Sequence, residues 1–591
     1  MNKKITALIS VLMSVVFIFV SCSSDKSEEQ KTGDANTVPV SYSGTSAPDM
    51  TNAVSVEFSD LGVKSSGSAV TCSESDAVIT GGGVYVITGS SSDGSVTVNA
   101  PDSEVWLVLK NADIMCKDSS PLYVYKSKKT YVYLDSDSVN KLSDSGEYSY
   151  ASEFSSQTDE EPNACVYLKL IYGEGSLEVN AEFNNGITSK DNLEIENSNI
   201  TVNASNNGIN GKDSLVVNNA SLSVTSGADA LRSTNDTDTE KGYINLNNCA
   251  LALVPGEDGI QAETSLNING GTYNITSGGG HSAELGEDAS AKGVKAGGEI
   301  TISDGTFTLD CADDAVHSNG NVTVSGGEFN INTGDDAFHA DSALKASGGK
   351  INIESCYEGL EGSNVDVSGG EINIISSDDG LNSAGGNDKS GFGNGDPWQS
   401  TGAHSIKISG GTLNITAGGD GLDSNGAMEI SGGTIAVSSS TEDNGALDYD
   451  GACTLTGGTL FAESRGGVMS QIPSDCEQMT MFVSLGANAE KGSTVTISCN
   501  PKTFTYTLTC DASNFVFSSD ELEQGETYTV SLDGSQVCEI TLSDTLTAYG
   551  NVSMSGQPGG MRGQPGGNMN GGQPGNMGGM QPPDGEIGQG R

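Results

Sequence analysis

The 591-residue sequence predicts an all-β protein whose main part is a right-handed parallel β-helix with about 22 residues per coil. Three observations predict this fold. Apolar and polar residues alternate along short runs, which is typical of strands with one buried face. Gly-Gly or Asn-Gly turns separate the runs, and the whole pattern returns at a nearly fixed interval. The right hand follows from the handedness of crossovers between parallel strands.

A single apolar residue marks the same position in each copy of the repeat, in most copies after one or two acidic or Asn residues and a Gly or Ala. These markers are Ile187, Ile209, Leu231, Ile260, Val294, Val316, Phe338, Leu360, Leu381, Leu422 and Leu447. Five of the ten steps between markers are 22 residues and one is 21, and the step from Leu381 to Leu422 is the longest, at 41. A β-propeller would need roughly 40–50 residues per blade, and a leucine-rich repeat would show leucine ladders. The period therefore favours one β-helix coil per repeat.

The chain begins with the features of a secretory signal. Lys3 and Lys4 precede an apolar run over 5–20, which is shorter than the roughly 20 residues of a bilayer span. Cys22 follows a small residue just after that run, as in a bacterial lipobox, although Phe19 stands where such boxes usually have Leu.

We therefore predict a lipoprotein signal peptide over 1–22, lipidation at Cys22 and a polar tether over 23–50. An ordinary cleaved signal with an incidental cysteine is the alternative. Under both interpretations the protein is exported. The lipid would place it outside the cell, at the bacterial cell surface, anchored to the membrane.

Four further segments follow the tether. The strand-rich segment 51–180 predicts irregular first coils and the cap that a solenoid requires. Residues 181–465 carry the regular repeat and predict the parallel β-helix. Residues 476–550 keep the alternation but lose the repeat, which indicates a small C-terminal β-domain. Residues 551–591 are rich in Gly, Pro and Met, too poor in apolar residues for a core, and predict a disordered tail.

The charge restricts the partners. With 78 Asp+Glu against 27 Lys+Arg, the formal net charge is −51 at pH 7. Such a charge repels the phosphates of nucleic acid and an anionic membrane surface. We therefore expect no nucleic-acid partner, membrane contact only through the lipid anchor, and a monomer. The spare carboxylates point instead to bound cations.

The twelve cysteines match no zinc-binding spacing. Most lie inside strand-like runs, Cys311 among them. We interpret most of them as small buried apolar side chains, with a few disulfides as the alternative.

Stacked coils turn one position of the repeat into a column of side chains. The position two residues before the marker is mostly Asp or Asn, and the position after the marker also carries carboxylates. Adjacent like charges about 4.8 Å apart repel by roughly 3–4 kcal/mol at an effective dielectric near 20. Ca²⁺ takes six to eight oxygen ligands and would relieve that repulsion. We predict Ca²⁺ as the cofactor, with ligands among Asp313, Asp314, Asp335, Asp336, Glu358, Asp378, Asp379, Asp420, Asp423 and Asp448.

The alternative is that Asp and Asn only form turns in which the side chain bonds its own backbone. This accounts for Asn185 and Asn207, but it does not account for paired aspartates, because one turn needs one such residue. His317 and His339 lie in the same region. Because no third histidine is close in sequence, we expect these two at exposed polar positions rather than at a transition metal.

Four strings together resemble a known family: NNGITSKDNL from Asn184, NGINGKD from Asn207, GDGLDSNG from Gly419 and NGALDYDG from Asn444. They are similar to the bacterial surface carbohydrate-binding β-helix family typified by a clostridial cellulose-binding, polysaccharide-lyase-like protein. The resemblance covers residues 52–550. It implies a right-handed β-helix, bound calcium, and a polysaccharide partner of plant cell-wall type, either cellulose or acidic pectic sugars.

The main alternative function is a pectin-active enzyme, either pectate-lyase-like and calcium-dependent or polygalacturonase-like. Asp335 and Asp336 are similar to the paired aspartates of polygalacturonases, but the Arg-Ile-Lys motif of such enzymes does not occur in the sequence. A lyase needs an Arg or Lys base beside its metal, and Arg232 is the single arginine between the first and last markers. We interpret Lys190 and Lys212, which lie one repeat apart, and Lys292 and Lys295, which flank a marker, as surface lysines, with a Lys base as the open alternative. The sequence therefore predicts a binding protein without catalytic residues.

The longest step carries Phe392 and Trp398 in a repeat region that is poor in aromatic residues. Aromatic rings stack on apolar faces of ligands, so we predict that Phe392 and Trp398 bind carbohydrate. The alternative is that Trp398 only fixes its loop. A third interpretation of the whole chain is a structural surface stalk or adhesin in which calcium stiffens the coils. An acidic polymer would approach this acidic chain through bridging Ca²⁺, which predicts calcium-dependent binding.

Overall fold

The structure, a computed structural model, describes residues 46–158, 161–286, 289–384, 404–466 and 471–550. The predicted signal peptide with Cys22, nearly all of the tether, the pair Phe392 and Trp398, and the predicted tail lie outside the described residues. Within them the all-β prediction is confirmed, because they contain 45 strands and one 3-10 helix, Met50–Asn52. No helix in this part of the chain is long and apolar enough to cross a membrane.

Ten strands precede the regular repeats: β1 (Val54–Ser59), β2 (Gly62–Ser65), β3 (Val70–Cys72), β4 (Asp76–Ile79), β5 (Gly83–Ser91), β6 (Ser95–Cys116), β7 (Leu122–Leu134), β8 (Val139–Asp144), β9 (Ala164–Tyr167) and β10 (Leu170–Tyr172). β1 pairs antiparallel with β2, and β3 pairs antiparallel with β4. From β5 to β7 the strands pair in parallel. Val56 and Phe58 of β1 are buried at the start of an apolar core that continues through the repeats.

The repeats contain the next twenty-seven strands: β11 (Ser176–Ala181), β12 (Asn185–Ser189), β13 (Asn192–Glu196), β14 (Asn199–Ala204), β15 (Ile209–Gly211), β16 (Ser214–Asn218), β17 (Ser221–Ser226), β18 (Leu231–Ser233), β19 (Tyr243–Pro255), β20 (Ile260–Ala262), β21 (Leu266–Ser277), β22 (Val294–Ala296), β23 (Ile300–Cys311), β24 (Val316–Ser318), β25 (Val322–Val324), β26 (Glu328–Thr333), β27 (Phe338–Ala346), β28 (Lys350–Cys356), β29 (Leu360–Val367), β30 (Glu371–Ser376), β31 (Leu381–Ser383), β32 (Ser405–Ile408), β33 (Thr412–Ala417), β34 (Leu422–Ser424), β35 (Ala427–Ser439), β36 (Leu447–Tyr449) and β37 (Cys453–Ser464).

Each repeat contributes one segment to each of three parallel ladders. In the first ladder the marker Val316 pairs with the marker Phe338, 22 residues later. In the third ladder Phe307 pairs with Phe329 at the same step. The second ladder, which includes β25 and the end of β27, keeps this step as well. The period that the sequence predicted is therefore the distance along the chain between paired strands.

Alternation within each strand points one set of side chains into a common core. All eleven markers, from Ile187 to Leu447, are buried, which confirms the predicted inward column. Tyr273, Phe307 and Phe329 stack across three successive repeats, with ring centroids 4.7 and 4.4 Å apart. Removal of this apolar surface from water is the main force that holds the repeats together.

The Gly-Gly turns between the second and third ladders require glycine at their second position. Gly327, Gly349 and Gly370 have φ values of +100°, +93° and +96°. A Cβ atom at Gly349 would also lie 2.9 Å from the carbonyl oxygen of Gly327 in the preceding repeat. Glycine alone adopts this φ without strain and permits this approach, which explains why Ser-Gly-Gly recurs at one position of the repeat.

Eight strands follow the last repeat: β38 (Asp475–Cys476), β39 (Thr480–Ala489), β40 (Thr494–Cys499), β41 (Lys502–Thr507), β42 (Ala512–Ser518), β43 (Thr527–Leu532), β44 (Ser535–Thr541) and β45 (Leu546–Tyr549). β42 pairs antiparallel with β37 and with β39, while β37 pairs in parallel with β38 and β39 with β45, so the pairing becomes mixed after the last repeat. β40, β41, β43 and β44 form a separate four-stranded antiparallel sheet. Val495 and Tyr528 of that sheet pack in a second apolar cluster with Phe461 and Phe515.

The eleven cysteines of the described residues are free thiols, and eight of them are buried. The interpretation of most cysteines as small buried apolar side chains is therefore confirmed. Cys72, Cys476 and Cys499 are half-buried.

The corner glycines give a prediction about stability. Gly349→Ala should destabilise the protein by about 1–3 kcal/mol, because its Cβ meets the Gly327 carbonyl and its φ is unfavourable for any other residue. Thermal unfolding followed by circular dichroism measures the effect. Gly146→Ala is the control, because a Cβ there meets no atom within 4 Å. Equal melting temperatures for the two variants would contradict the role of the corner glycine.

Candidate functional site

The side chain two positions before each marker connects its repeat to the next. Asp314 Oδ1 accepts a hydrogen bond from the backbone N–H of Asp336 at 3.0 Å, and Asp336 Oδ1 accepts one from Glu358 at 3.1 Å. The same bond joins Asn185 to Asn207, Asn207 to Asp229, Asp229 to Asp258, Asp258 to Lys292, Asp379 to Asp420 and Asp420 to Gly445. We name the residues at this position, from Asn185 to Asp420, the corner column.

The interpretation that Asn185 and Asn207 bond their own backbone is therefore wrong. A buried backbone N–H needs an acceptor, and at this corner the acceptor is a side chain of the preceding repeat. The corner column thus stabilises the stacking whether its members are charged or neutral. The negative charges of its acidic members must be compensated separately, by basic side chains, protons or bound cations.

The residue after each marker forms a second column beside the corner column. The strand registers place its members in this order: Thr188, Asn210, Arg232, Gln261, Lys295, His317, His339, Glu361, Asn382, Asp423 and Asp448. After two neutral side chains, the basic residues of this second column come before the histidines, and the carboxylates come last. The charge available to balance the corner column therefore changes along the repeats.

Basic side chains compensate the first acidic members of the corner column. Arg232 lies 3.2 Å from Asp229, and Lys295 Nζ lies 3.1 Å from Asp258. Burial, with repulsion from Asp258, raises the pKa of Asp229 to about 6 even in the presence of Arg232. Each buried carboxylate here has a cation at contact distance, which offsets the cost of its burial.

Lys292 is itself a member of the corner column and lies between two aspartates. Its Nζ is 2.8 Å from Asp313 Oδ1 and 2.7 Å from Asp314 Oδ2. The expectation of a surface lysine is wrong, because only 8% of its side chain is exposed. Burial alone would lower the pKa of Lys292, but the attraction of Asp314 and Asp313 outweighs burial and raises it above the ordinary value. A lysine held in its protonated form cannot act as a general base.

His317 and His339 pair in register, and their rings stack with centroids 4.7 Å apart. Both are buried, so the expectation of exposed histidines is wrong. His317 Nδ1 lies 2.7 Å from Asp314 Oδ2, and His339 Nδ1 lies 3.3 Å from Asp336 Oδ2 and in contact with Glu361 Oε2. Burial alone would lower the pKa of His339, but its bonds to Asp336 and Glu361 raise it to about 12. In the metal-free chain, these carboxylates therefore hold a proton on His339.

Beyond the histidines the columns lose their basic members. Glu358 is buried and accepts a hydrogen bond from Asn382 Nδ2 at 2.8 Å. Burial and repulsion from Asp336 and Glu361 raise the pKa of Glu358 to about 10. This carboxyl group therefore prefers its neutral form, although the hydrogen bond from Asn382 acts in the opposite direction.

Asp379, Asp420, Asp423 and Asp448 follow, and we name these four the uncompensated cluster. Burial raises the pKa of Asp379 and of Asp420 to about 7 each, and repulsion from neighbouring carboxylates adds to the effect. Burial and repulsion from Asp379 and Asp420 raise the pKa of Asp423 to about 9. Among the described residues, no basic side chain forms an ion pair with the cluster. At neutral pH its aspartates either hold protons or need a cation.

Three groups of described residues bring at least three potential metal ligands within 4.8 Å of one another. They are Asp314, His317 and His339; Asp336, His339 and Glu361; and Asp313, Asp314 and Asp335. Lys292 already contacts two members of the third group. Of the ligands that the sequence predicted, the structure thus brings Asp313, Asp314, Asp335 and Asp336 into such groups. It does not bring Glu358, Asp378 or the uncompensated cluster into one.

A cleft of about 360 Å³ lies between the first coils and the first regular repeat. Tyr123, Tyr125 and Tyr167 line it, and Tyr123 packs edge-on against Tyr167 with ring centroids 5.3 Å apart. Lys126 Nζ lies 4.8 Å from the ring centroid of Tyr125. The other charged groups of the cleft are two ion pairs, Lys169 with Asp191 and Lys190 with Glu161. With three lysines and two carboxylates, the cleft is locally basic in a strongly acidic protein.

A family model described as "Carbohydrate-binding domain-containing protein" matches residues 73–337 and 336–556. The chain belongs to this family. The resemblance expected from the Asn-Gly-Ile and Asp-Gly-Leu strings is thereby confirmed. The matched residues of this carbohydrate-binding domain family include both columns and the cleft.

Two known proteins are similar to parts of the chain. A carbohydrate-binding domain-containing protein of Acetivibrio thermocellus is 38% identical over 136 residues, which is 22% of this chain and 46% of that relative. The chain therefore spans about half the length of this curated relative. A solved structure of the polysaccharide lyase-like protein from C. thermocellum, a gadolinium derivative, is 26% identical with a TM-score of 0.34. That match covers 51% of this chain and 96% of the other.

The sequence did not point to the cleft of this carbohydrate-binding domain protein. Tyr123 and Tyr125 lie in β7 and Tyr167 lies at the end of β9, within irregular first coils that have no fixed period. A tyrosine alternating with apolar residues in a strand looks the same whether it faces a core or a cleft. The clustering of Lys126, Lys169 and Lys190 is likewise visible only after the strands are paired.

The position of Lys292 gives a second prediction about stability. Lys292→Met keeps the length of the side chain but leaves Asp313 and Asp314 without their cation, so it should destabilise the protein by about 3–5 kcal/mol. Thermal unfolding at neutral pH measures the loss. Lys350→Met is the matched control, because Lys350 is exposed. If both variants melted alike, the compensating role of Lys292 would be refuted.

The uncompensated cluster predicts a pH dependence. The pKa values of Asp379 and Asp420 (about 7) and of Asp423 (about 9) lie above the unfolded value of about 3.9. A carboxyl group whose pKa is higher in the folded than in the unfolded protein stabilises the fold fully below its unfolded pKa. This contribution to the free energy of unfolding is lost as the pH rises through the folded pKa values of about 7 to 9.

In EDTA, the melting temperature of Asp423→Asn should therefore fall less between about pH 5 and pH 9 than that of the wild type. Asp520→Asn, which changes an exposed aspartate, controls for the loss of one charge. The same slope in all three proteins would rule out a contribution from the cluster.

Proposed function

We propose that this chain is an extracellular, surface-anchored protein that binds a plant cell-wall type polysaccharide, cellulosic or acidic, with the help of Ca²⁺. The observation that carries the proposal is the match of most of the chain to a carbohydrate-binding domain family. Lipidation at Cys22 and sugar contact by Phe392 and Trp398 are included as predictions from the sequence. We further propose that the repeats wind as a right-handed parallel β-helix, which three parallel ladders with a 22-residue step support.

The uncompensated cluster is the proposed calcium site. Its four carboxylates are desolvated, raise one another's pKa values, and form no ion pair with a basic side chain among the described residues. Ca²⁺ accepts carboxylate, amide, backbone carbonyl and water oxygens in flexible geometry. Asp378 and Glu358 stand next to the cluster in the columns and can add oxygens. The other predicted ligands belong to groups that contain His339 or that Lys292 contacts, so we place them outside the proposed calcium site.

Described residues on either side of the segment that carries Phe392 and Trp398 belong to the repeats of this cluster. Ser383, before the segment, and His404, after it, both contact the carbonyl oxygen of Ser363. Ser383 also follows Asn382, which pairs in register with Asp423. This proximity supports a common binding region for Ca²⁺ and sugar.

Binding rather than catalysis is the proposed role. A calcium-dependent lyase requires an unprotonated base next to its metal. The raised pKa of Lys292 keeps it protonated, while Lys295 and Arg232 are engaged with Asp258 and Asp229. These contacts support a structural role for the basic residues that the enzyme alternative would use.

The tyrosine- and lysine-lined cleft is a second proposed contact for the polysaccharide. Its volume of about 360 Å³ lies within the range of small-molecule binding sites. The half-buried ring of Tyr125 offers an apolar face for a sugar ring, and Lys126 beside it offers a cation for a uronate carboxylate. This combination favours acidic sugars over neutral ones at the cleft.

Binding of polygalacturonate and of cellulose by residues 23–591, which lack the signal peptide and the lipidated Cys22, tests the proposal directly. Calorimetry or affinity electrophoresis in Ca²⁺ and in EDTA should show binding that depends on Ca²⁺, without unsaturated products in ultraviolet absorbance. Asp423→Asn should weaken the calcium dependence, and Tyr125→Ala should weaken binding of the acidic polymer by several-fold. Tyr549→Ala, which changes a tyrosine 41% exposed outside the cleft, is the control.

Three outcomes count against the proposal. Formation of unsaturated products would replace the binding protein with a lyase. Binding of neither polymer in either condition would favour the surface stalk. Binding that is equally strong in EDTA and in Ca²⁺ would remove calcium from the proposed function while leaving polysaccharide binding intact.

A further inference from the structure

The two stacked histidines lie where the two columns bring imidazole nitrogens and carboxylate oxygens together. His339 is 1% exposed and sits in the middle of three successive second-column residues, His317, His339 and Glu361. Its Nδ1 faces the carboxylates of Asp336 and Glu361. One imidazole nitrogen and two carboxylate oxygens from two adjacent repeats therefore converge on one point.

The ligand atoms of His339, Asp336 and Glu361 all lie within 4.8 Å of one another. In a tetrahedral site with metal–ligand distances of about 2.0–2.2 Å, neighbouring ligand atoms are about 3.3–3.5 Å apart. The distance from His339 Nδ1 to Asp336 Oδ2 is 3.3 Å. Glu361 contacts the same nitrogen more closely, so a metal requires only a small outward shift of its carboxylate.

The other nitrogen of His339 is oriented as it is in metal sites. His339 Nε2 lies 3.3 Å from Asp341 Oδ1. A ligating histidine commonly donates its second N–H to a carboxylate, which fixes the ring and raises its basicity. The ring of His317, parallel to within 9° and itself bonded to Asp314, supports the other side. The support of the ring is thus independent of the converging carboxylates.

Asp336 and Glu361 are buried, and so is the His339 ring that they face. A divalent ion at His339 Nδ1 would bring positive charge to this pair of buried carboxylates.

We propose that His339, Asp336 and Glu361 bind a divalent transition-metal ion of the Zn²⁺ class, with Asp341 and His317 positioning the His339 ring. Imidazole nitrogen suits Zn²⁺, Cu²⁺ and Ni²⁺, whereas Ca²⁺ takes oxygen ligands. The site is separate from the proposed calcium site and needs no polysaccharide. It therefore adds a second metal class to the same columns, at the point where their side chains change from basic to acidic.

Metal titration of residues 23–591, stripped with EDTA, tests the site. Calorimetry with ZnCl₂ in excess CaCl₂ should show one equivalent bound, and Co²⁺ should give the visible absorption of a four-coordinate nitrogen- and oxygen-ligated ion. His339→Gln should weaken Zn²⁺ binding by at least tenfold. His404→Gln, a half-buried histidine away from the site, should leave binding unchanged.

Two further variants separate ligand loss from misfolding and from the calcium proposal. Asp341→Asn removes only the carboxylate behind the ring, at a side chain 35% exposed, and should weaken Zn²⁺ about 10–100-fold in a protein with a wild-type circular dichroism spectrum. Asp423→Asn should leave Zn²⁺ affinity unchanged whatever it does to calcium. No Zn²⁺ binding by the wild type, or equal affinities in wild type, His339→Gln and Asp341→Asn, would overturn the assignment.

Discussion

Stacking equivalent positions of successive repeats is the constraint on which the rest of this structure depends. Paired strands lie about 4.8 Å apart, so a charge placed at one position of the repeat meets its own copy at that distance. At an effective dielectric of 20 the repulsion is about 3–4 kcal/mol per pair. The same proximity is useful for hydrogen bonds, because each corner-column oxygen reaches the backbone N–H of the next repeat. The fold gains stability from the column's oxygens and must compensate their charge.

The compensation changes along the chain, and this change gives the columns their chemistry. Arg232, Lys295 and Lys292 balance the first acidic members. His317 and His339 contact the next ones, Asp314 and Asp336. At the uncompensated cluster, basic side chains are replaced by more carboxylates, and the pKa values rise. A bound cation would stabilise the columns most where they lack basic side chains. A carbohydrate-binding protein would use such a cation to bridge its own carboxylates to an acidic polymer.

The sequence was sufficient for the period, the inward markers and the positions of the acidic columns, because alternation and spacing are local signals. Burial of Lys292 was not predictable in this way. A lysine at an acidic position of a repeat looks like a surface residue until Asp313 and Asp314, one repeat later, are placed around it. The histidines were misjudged for the same reason. The tyrosine cleft was missed because the first coils lack a period, so pairing of β7 with β9 and β10 could not be anticipated.

The central claim is that calcium-type cations bind at the uncompensated cluster and not where Arg232 or Lys295 already compensates the carboxylates. Anomalous diffraction from crystals grown with Tb³⁺ in place of Ca²⁺ locates such ions directly. The account predicts Tb³⁺ beside Asp379, Asp420, Asp423 and Asp448, and none beside Asp229 or Asp258, where Arg232 and Lys295 already stand. Ions bound beside Asp229 or Asp258, or none at the uncompensated cluster, would contradict it.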